Sequence, residues 1–226
     1  MNSYGKYTKI AGASYIISYV GLILGGIIAG PILEGDYLAL AFPNAIQLGL
    51  GMLVESINGI AVICIAVMLY PILKRYNEGI ALAYLAFRGV EAFLSILGST
   101  KAIALVNLSY DYIDAGSPVS GYFQTLGELI LADRHWHLEM LTVFFILGAL
   151  VFYFILYKTE LLPRYVSLWG IIAVICMIVL NVFIYSGIGI EMIVGLVLAL
   201  PIIANEFFVA IWLIVKGVDT SGLGPE

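Results

Sequence analysis

Four ionisable side chains lie inside stretches of sequence that are otherwise apolar. They belong to Glu55, Arg88, Glu91 and Glu206. A charged group in the hydrocarbon interior of a membrane is costly, and such groups usually mark ligand sites, ion pathways or proton relays. Since Arg88 can neutralise only one of the three carboxyl groups, at least one other should take up a proton or a cation. The sequence therefore indicates proton or cation binding inside a membrane.

The spacing of these residues predicts how they are arranged. Arg88 and Glu91 are three positions apart, so they share one face of a helix. We predict that Arg88 contacts Glu206 or Glu91 within hydrogen-bond distance. Depth within the predicted spans favours Glu206, which would leave Glu55 and Glu91 to share a proton. With neighbouring amides, the candidate ligand or proton site comprises Glu55, Asn58, Arg88, Glu91, Asn205 and Glu206. The alternative is a static polar cluster that only holds helices together.

A second group of chemically capable residues follows at Asp133, His135, His137 and Glu139. On a helix Asp133 and His137 share one face, and His135 and Glu139 share another. Either pair could supply part of a metal site, but a complete site needs three or four ligands, and the two imidazoles point apart. We favour a capped helix start with Trp136 at the membrane interface. Sequence motifs of metalloproteases, serine hydrolases and phosphate-binding loops are missing, so we predict no metal and no cofactor.

The composition defines the elements that must position these residues. Of 226 residues, 62% are hydrophobic and 11% are charged, which excludes an ordinary soluble domain. Apolar runs long enough to cross the hydrocarbon core predict an all-α, polytopic transmembrane helical bundle in one domain, 1–226. We predict six spans, or seven at most. The six lie at about residues 10–32, 45–71, 79–105, 135–157, 164–186 and 192–215.

The distribution of charge predicts the orientation of these spans. An even number of spans places both termini on one side, and seven of the ten Lys and Arg residues fall on that side. These seven are Lys6, Lys9, Lys74, Arg75, Lys158, Arg164 and Lys216. The excess of positive charge predicts cytoplasmic termini, with Arg134 on the outer side. The net charge of −5 describes an acidic outer rim and offers no basic footprint for nucleic acid.

Two further features concern local structure. In the first span, Gly21 with Gly25 and Gly26 with Gly30 form two overlapping pairs of small residues, each about one helical turn apart, which allow another helix to approach closely. Between the third and fourth spans, Ser117-Pro118 could open a short helix through Ala132 with one apolar side. We predict that this short helix lies along the outer surface as an amphipathic cap.

Four stretches of the chain resemble an integral-membrane family known as domain of unknown function 4386. The stretches are Ile10-Ala11-Gly12 with Tyr15, Phe87-Arg88 with Glu91, Leu161-Leu162-Pro163-Arg164 before Gly170, and Glu206 followed by Trp212-Leu213-Ile214-Val215-Lys216-Gly217. The resemblance covers nearly the whole chain and implies a bundle of six to seven membrane helices. It implies no particular reaction, and it leaves the roles of Glu55, His135 and His137 open.

Three functions from different classes remain compatible with the sequence. The first is binding, and transport, of a small molecule or ion at the Glu/Arg cluster in the cell membrane. The second is a structural or accessory membrane subunit, which would take a membrane-protein partner or a second copy of the chain. The third is an intramembrane enzyme that modifies lipid with His135 and His137 at the outer interface. Membrane lipids are expected partners in each case.

Overall fold

A computed structural model describes residues 4–118, 121–189 and 191–221 of the chain. Within those ranges the protein consists of helices and contains no strand. The helices, in chain order, are α1 (Gly5–Leu33), α2 (Tyr37–Leu40), α3 (Ala45–Leu73), α4 (Glu78–Lys101), α5 (Ala104–Asp114), α6 (Gly121–Thr159), α7 (Arg164–Tyr185) and α8 (Met192–Val215).

The predicted membrane architecture is confirmed. Six helical segments are long and apolar enough to cross a membrane, with α4 and α5 together forming one of them. The helices follow the apolar runs of the sequence closely, and α8 coincides with the predicted span at 192–215. Such agreement is expected because a membrane helix must satisfy all of its backbone hydrogen bonds internally, which ties its length to the apolar run.

The predicted cap between the third and fourth spans is wrong in one respect. The segment from Gly121 onward is the first part of α6, a single helix of 39 residues, rather than a separate surface helix. Nothing in the sequence interrupts it, since α6 contains no proline. Its apolar side packs against a core that includes Met52 and Leu105. Tyr37 donates a hydrogen bond of 3.3 Å to the carbonyl of Gln124 and so holds the start of this helix.

The chain divides into two compact units, and α1, α3, α4 and α6 each contribute residues to both. Unit 1 comprises Met1–Ile16, Ala61–Glu91 and Thr142–Glu226. Its core contains large, fully buried side chains such as Tyr84, Tyr153 and Leu156. Gly170 on α7 lies directly against the Tyr153 ring, where any larger side chain would overlap it. Close packing of this kind fixes the position of the Tyr153 hydroxyl group.

Unit 2 comprises Ile17–Ile60 and Ala92–Leu141. Leu48, Met52 and Leu105 lie at the centre of its core. The predicted close approach is confirmed for Gly21 and Gly25, because a Cβ atom on Gly25 would lie 2.5 Å from the backbone nitrogen of Glu55. It is wrong for Gly26 and Gly30, since among the described residues no other helix lies within 4 Å of a Cβ atom at either position. The backbone of α1 therefore packs directly on α3 at the residue that carries a buried carboxyl group.

Candidate functional site

In unit 1 the buried charges begin with an ion pair inside α4. Arg88 Nη1 lies 3.0 Å from Glu91 Oε2 and 3.3 Å from Glu91 Oε1. Both residues are less than 5% exposed. The pair forms because residues three apart on a helix are neighbours on its surface. The ion pair at Arg88 is therefore made with its neighbour on the same helix, whereas depth in the sequence had favoured Glu206.

Aromatic rings surround the Arg88 guanidinium. Its Cζ atom lies 5.9 Å from the ring centre of Tyr15 and 5.6 Å from that of Phe145, distances at which a cation is attracted to the ring. Gly148 on α6 makes room for the side chain, since a Cβ atom there would lie 3.0 Å from Arg88 Cδ. The Arg88 Nε–H group is buried and has no hydrogen-bond partner in the part of the chain that the structure describes.

Asn205 and Glu206, the two candidate site residues on α8, differ in what they contact. Asn205 accepts a hydrogen bond of 2.7 Å from the Tyr153 hydroxyl group and donates one of 3.1 Å to the carbonyl of Val166. Asn205 thereby connects α6, α7 and α8. Glu206 is also buried, and its charge is close enough to interact with Glu91 and Arg88. Among the described residues, the buried charged groups of unit 1 are thus two carboxyls and one guanidinium.

The buried carboxyl of unit 2 is paired differently from the sequence-based expectation. Arg134 Nη2 lies 2.8 Å from Glu55 Oε1 and 2.9 Å from Glu55 Oε2, and Arg134 Nη1 donates a bond of 2.8 Å to the carbonyl of Gly98. The sequence placed Arg134 at a loop and did not identify it as the partner of Glu55. The physical reason is the early start of α6, which places Arg134 within a helix that packs beside α3 and α4 rather than at a loop. The inference that Glu55 and Glu91 share a proton also loses its basis, because each of these carboxylates pairs with its own arginine.

Asn58 lies in unit 2, one helical turn from Glu55. Its Oδ1 atom accepts a hydrogen bond of 2.9 Å from Ser95 Oγ, and its Nδ2 group donates one of 3.3 Å to the carbonyl of Ser18. Asn58 therefore connects α3 with α4 and α1. Both polar ends of this amide are occupied by the protein, so Asn58 resembles a packing residue more than a free ligand.

The acidic and histidine residues on α6 form the two pairs that helical spacing predicts. His137 Nδ1 lies 3.3 Å from Asp133 Oδ1, and His135 Nδ1 lies 4.0 Å from Glu139 Oε1. Asp133 also forms an ion pair of 2.7 Å with Lys101. Within the described ranges no group of three or more His, Cys, Asp or Glu side chains is arranged to hold a metal ion.

The described part of the chain contains at least three cavities, and neither buried ion pair lines any of these three. The largest lies among the ends of α6 and α8 and the residues that follow them. A second is an apolar groove between α6 and α7, and a third lies beside Phe42 and Gln47. The Arg88–Glu91 pair is therefore enclosed by protein in this conformation.

Six apolar helices of membrane-spanning length, with charged groups buried among them, define a multi-pass membrane protein of the helical class. The family model described as "Domain of unknown function (DUF4386)" matches residues 10–217, and the chain belongs to that family. No curated protein and no solved structure matches the chain. The family establishes the kind of protein without indicating a reaction, so function must be argued from the site.

Proposed function

We propose that the protein binds a proton, and with it carries a small solute or ion, at the cluster of Arg88, Glu91 and Glu206 in unit 1. The observation that supports this is the composition of the cluster, in which two buried carboxyls face one guanidinium. If all three groups were ionised, their formal charges would sum to −1 away from water. Such a carboxylate takes up a proton or a cation instead.

The location of the ion pair also supports a functional role. Arg88 and Glu91 belong to the same helix, so their ion pair does not by itself hold one helix against another. Removing two charges from water is costly, and well-packed apolar residues often stabilise a buried position better. An ion pair that joins no two helices is therefore better explained by a role in proton or ligand binding than by a role in helix packing.

The enclosed cluster favours a proton as the species bound in this conformation. A proton needs no cavity, whereas a solute does, and none of the three cavities reaches the pair. Entry of a solute then requires α8 to move. Pro201 lies inside α8, shortly before Asn205 and Glu206. A proline removes one helical hydrogen bond and is a common point of bending.

Infrared titration of the purified protein tests this function. We expect a protonated-carboxyl band in the wild type at neutral pH that disappears in Glu91→Gln or in Glu206→Gln. The matched control is Glu55→Gln, which removes a buried carboxyl that already has an arginine partner and should leave the band in place. If no carboxyl titrates between about pH 5 and 8, or if the band survives both unit 1 substitutions, the proposal is wrong.

A structural or accessory role is the second candidate, and one observation favours it. In this conformation both buried ion pairs are satisfied by two contacts each, and neither lines a cavity. If packing is the whole function, no carboxyl band should titrate between about pH 5 and 8 in the wild type, in Glu91→Gln or in Glu206→Gln. The same titration therefore separates the two candidates.

We also propose that the protein lies in the cell membrane with cytoplasmic termini, on the strength of the Lys and Arg distribution. Ser221 is exposed and suits cysteine labelling, while Ser3 lies outside the described residues. In a background without Cys64 and Cys176, an impermeant thiol reagent added to intact cells should not modify Ser221→Cys. Ser117→Cys, in the loop predicted outside, should react. Labelling of Ser221→Cys without labelling of Ser117→Cys would show that the orientation is the opposite of the one proposed.

A further inference from the structure

The largest of the three cavities described above lies in unit 1, outside the candidate site. Its volume is about 800 Å³. We call it the terminal pocket and define it by six of its lining residues: Lys158, Leu161, Trp212, Lys216, Asp219 and Ser221. It is formed where α6 and α8 end, at one end of the predicted membrane spans.

Local backbone structure closes the terminal pocket on one side. After α8 ends, Gly217 adopts a φ of +75°, a left-handed conformation that reverses the chain direction at little cost only for glycine. The following residues turn back toward the loop after α6. There the Asp219 N–H group donates a hydrogen bond of 3.0 Å to the carbonyl of Leu161. The pocket is thus a defined concavity and not a gap beside a loose tail.

The acidic residues at the terminal pocket already have partners. Glu160 forms an ion pair of 2.7 Å with Arg164. Asp219 accepts a hydrogen bond of 2.9 Å from the Ser221 N–H group. That hydrogen bond holds the pKa of Asp219 below its ordinary value, so this carboxylate stays ionised and can accept further hydrogen bonds.

The two lysines of the terminal pocket lack such partners. Lys216 Nζ lies 4.2 Å above the centre of the Trp212 ring, and Lys158 Nζ lies 5.9 Å from that of Phe154. In the described part of the chain, neither lysine forms an ion pair with a carboxylate. Both are at the C-terminal ends of helices, where the helix dipole keeps a positive charge favourable. The two ammonium groups are therefore available as cationic donors at this pocket.

The surface next to the terminal pocket is apolar and exposed. Ile211 is 56% exposed and Val215 is 72% exposed, on the same helix end that carries Trp212 and Lys216. Trp and Lys at the end of an apolar span are typical of the membrane–water interface. An anion that reaches the lysines while its apolar part covers this surface is a lipid rather than a soluble phosphate. Basic pockets at the ends of membrane helices bind anionic head groups in this way.

We propose that the terminal pocket binds the head group of an anionic phospholipid. The phosphate lies between Lys158 and Lys216, hydroxyl groups of the head group donate to Asp219, and the acyl chains lie along the exposed end of α8. This role is independent of proton binding at Arg88, Glu91 and Glu206, which lie elsewhere in unit 1.

Native mass spectrometry of the full chain in a neutral detergent tests the proposal. Dioleoyl-phosphatidylglycerol should bind, and dioleoyl-phosphatidylcholine should bind far more weakly. Lys158→Gln/Lys216→Gln should weaken phosphatidylglycerol binding by at least about tenfold, because two cationic contacts are lost. The matched control is Lys6→Gln/Lys9→Gln, which removes two exposed lysines outside the pocket and should change binding by less than about twofold. Lys158→Arg/Lys216→Arg should retain it.

Several outcomes would overturn the proposal. One is equal loss in the two Gln double variants, which would indicate general surface attraction. Another is equal binding of the two lipids. Soluble glycerophosphoglycerol that competes at concentrations equal to the lipid would show that free phosphate esters are the ligand instead.

A second measurement avoids any dependence on the folding of the Gln variant. In a Trp136→Phe/Trp169→Phe background, the emission of Trp212 reports on the pocket while both lysines are present. Phosphatidylglycerol should shift this emission with a saturable dependence, and phosphatidylcholine should not. An emission that stays unchanged with both lipids contradicts the proposal.

Discussion

In unit 1 the guanidinium of Arg88 pairs with a carboxylate on its own helix. In unit 2 the guanidinium of Arg134 joins three helices. Arg88 and Glu91 are three residues apart on α4. Arg134 on α6 contacts Glu55 on α3, 79 positions away, and the carbonyl of Gly98 on α4. The two pairs consist of the same chemical groups, yet only the second can fix one helix relative to another. Similar buried charges in one small protein therefore support different interpretations, a chemical one in unit 1 and a structural one in unit 2.

The helices of unit 1 are connected by neutral hydrogen bonds instead. Tyr153 on α6, Asn205 on α8 and the Val166 carbonyl on α7 form a continuous chain of contacts of 2.7 and 3.1 Å. These groups perform in unit 1 the connecting role that Arg134 performs in unit 2. None of these three groups is charged, so the connections do not depend on the protonation state proposed for the cluster.

The largest expected effect is on the connecting ion pair of unit 2. Arg134→Met should lower the free energy of unfolding by about 3–5 kcal/mol, because it leaves the Glu55 carboxylate buried without its partner. Arg134→Met/Glu55→Met should recover part of that loss. Thermal and denaturant unfolding in detergent measure both. The control is Arg164→Met, since Arg164 pairs only with exposed Glu160 and should cost well under 1 kcal/mol. If Arg134→Met lowers the free energy of unfolding as little as Arg164→Met does, the ion pair of Arg134 does not hold the helices of unit 2 together, and the contrast between the units is wrong.

A smaller effect is expected at the neutral connection of unit 1. Tyr153→Phe removes the donor to Asn205 Oδ1 and leaves a buried acceptor unsatisfied, which costs about 1–3 kcal/mol. Tyr157→Phe, on the same helix but partly exposed, serves as the control and should be close to neutral. Unfolding of the two variants side by side measures the difference. Equal stabilities would show that unit 1 does not depend on this hydrogen bond.

The smallest effect is expected at the partly exposed ion pair of unit 2. Lys101→Gln breaks the contact with Asp133, whose side chain is 46% exposed. Solvent screening limits such pairs to roughly 0.2–1 kcal/mol, and added salt should abolish the difference from wild type. Lys9→Gln provides the baseline for loss of one exposed lysine charge. A loss that persists at high salt would mean that Asp133 has a structural role comparable to that of Glu55.

The sequence was sufficient for the features that depend on local spacing. The apolar runs predicted all six spans, because a membrane helix must match the thickness of the hydrocarbon core. The separation of three residues placed Arg88 and Glu91 on one face. Gly21 and Gly25 likewise predicted the close approach of another helix, although the spacing did not identify which helix it is.

The pairing of Arg134 with Glu55 could not be predicted in the same way. It depends on which helices are neighbours and on where α6 begins, and the apolar run of the fourth span starts well after Gly121. A charged residue near the end of a span resembles a loop residue when only hydropathy is considered. The signal that would have helped is the uninterrupted helix-forming sequence before that run, including the apolar positions Phe123, Leu126 and Ile130 that pack on the core.

The length of α6 has a consequence for how the protein meets the solvent outside its membrane. A helix of 39 residues is about 58 Å long, nearly twice the hydrocarbon thickness of about 30 Å. Even at a tilt of about 40°, α6 is therefore longer than the hydrocarbon core is thick, and its first turns pack on the core of unit 2. These first turns, which are held by the Tyr37 hydroxyl group, thus offer a rigid attachment point for an antibody fragment.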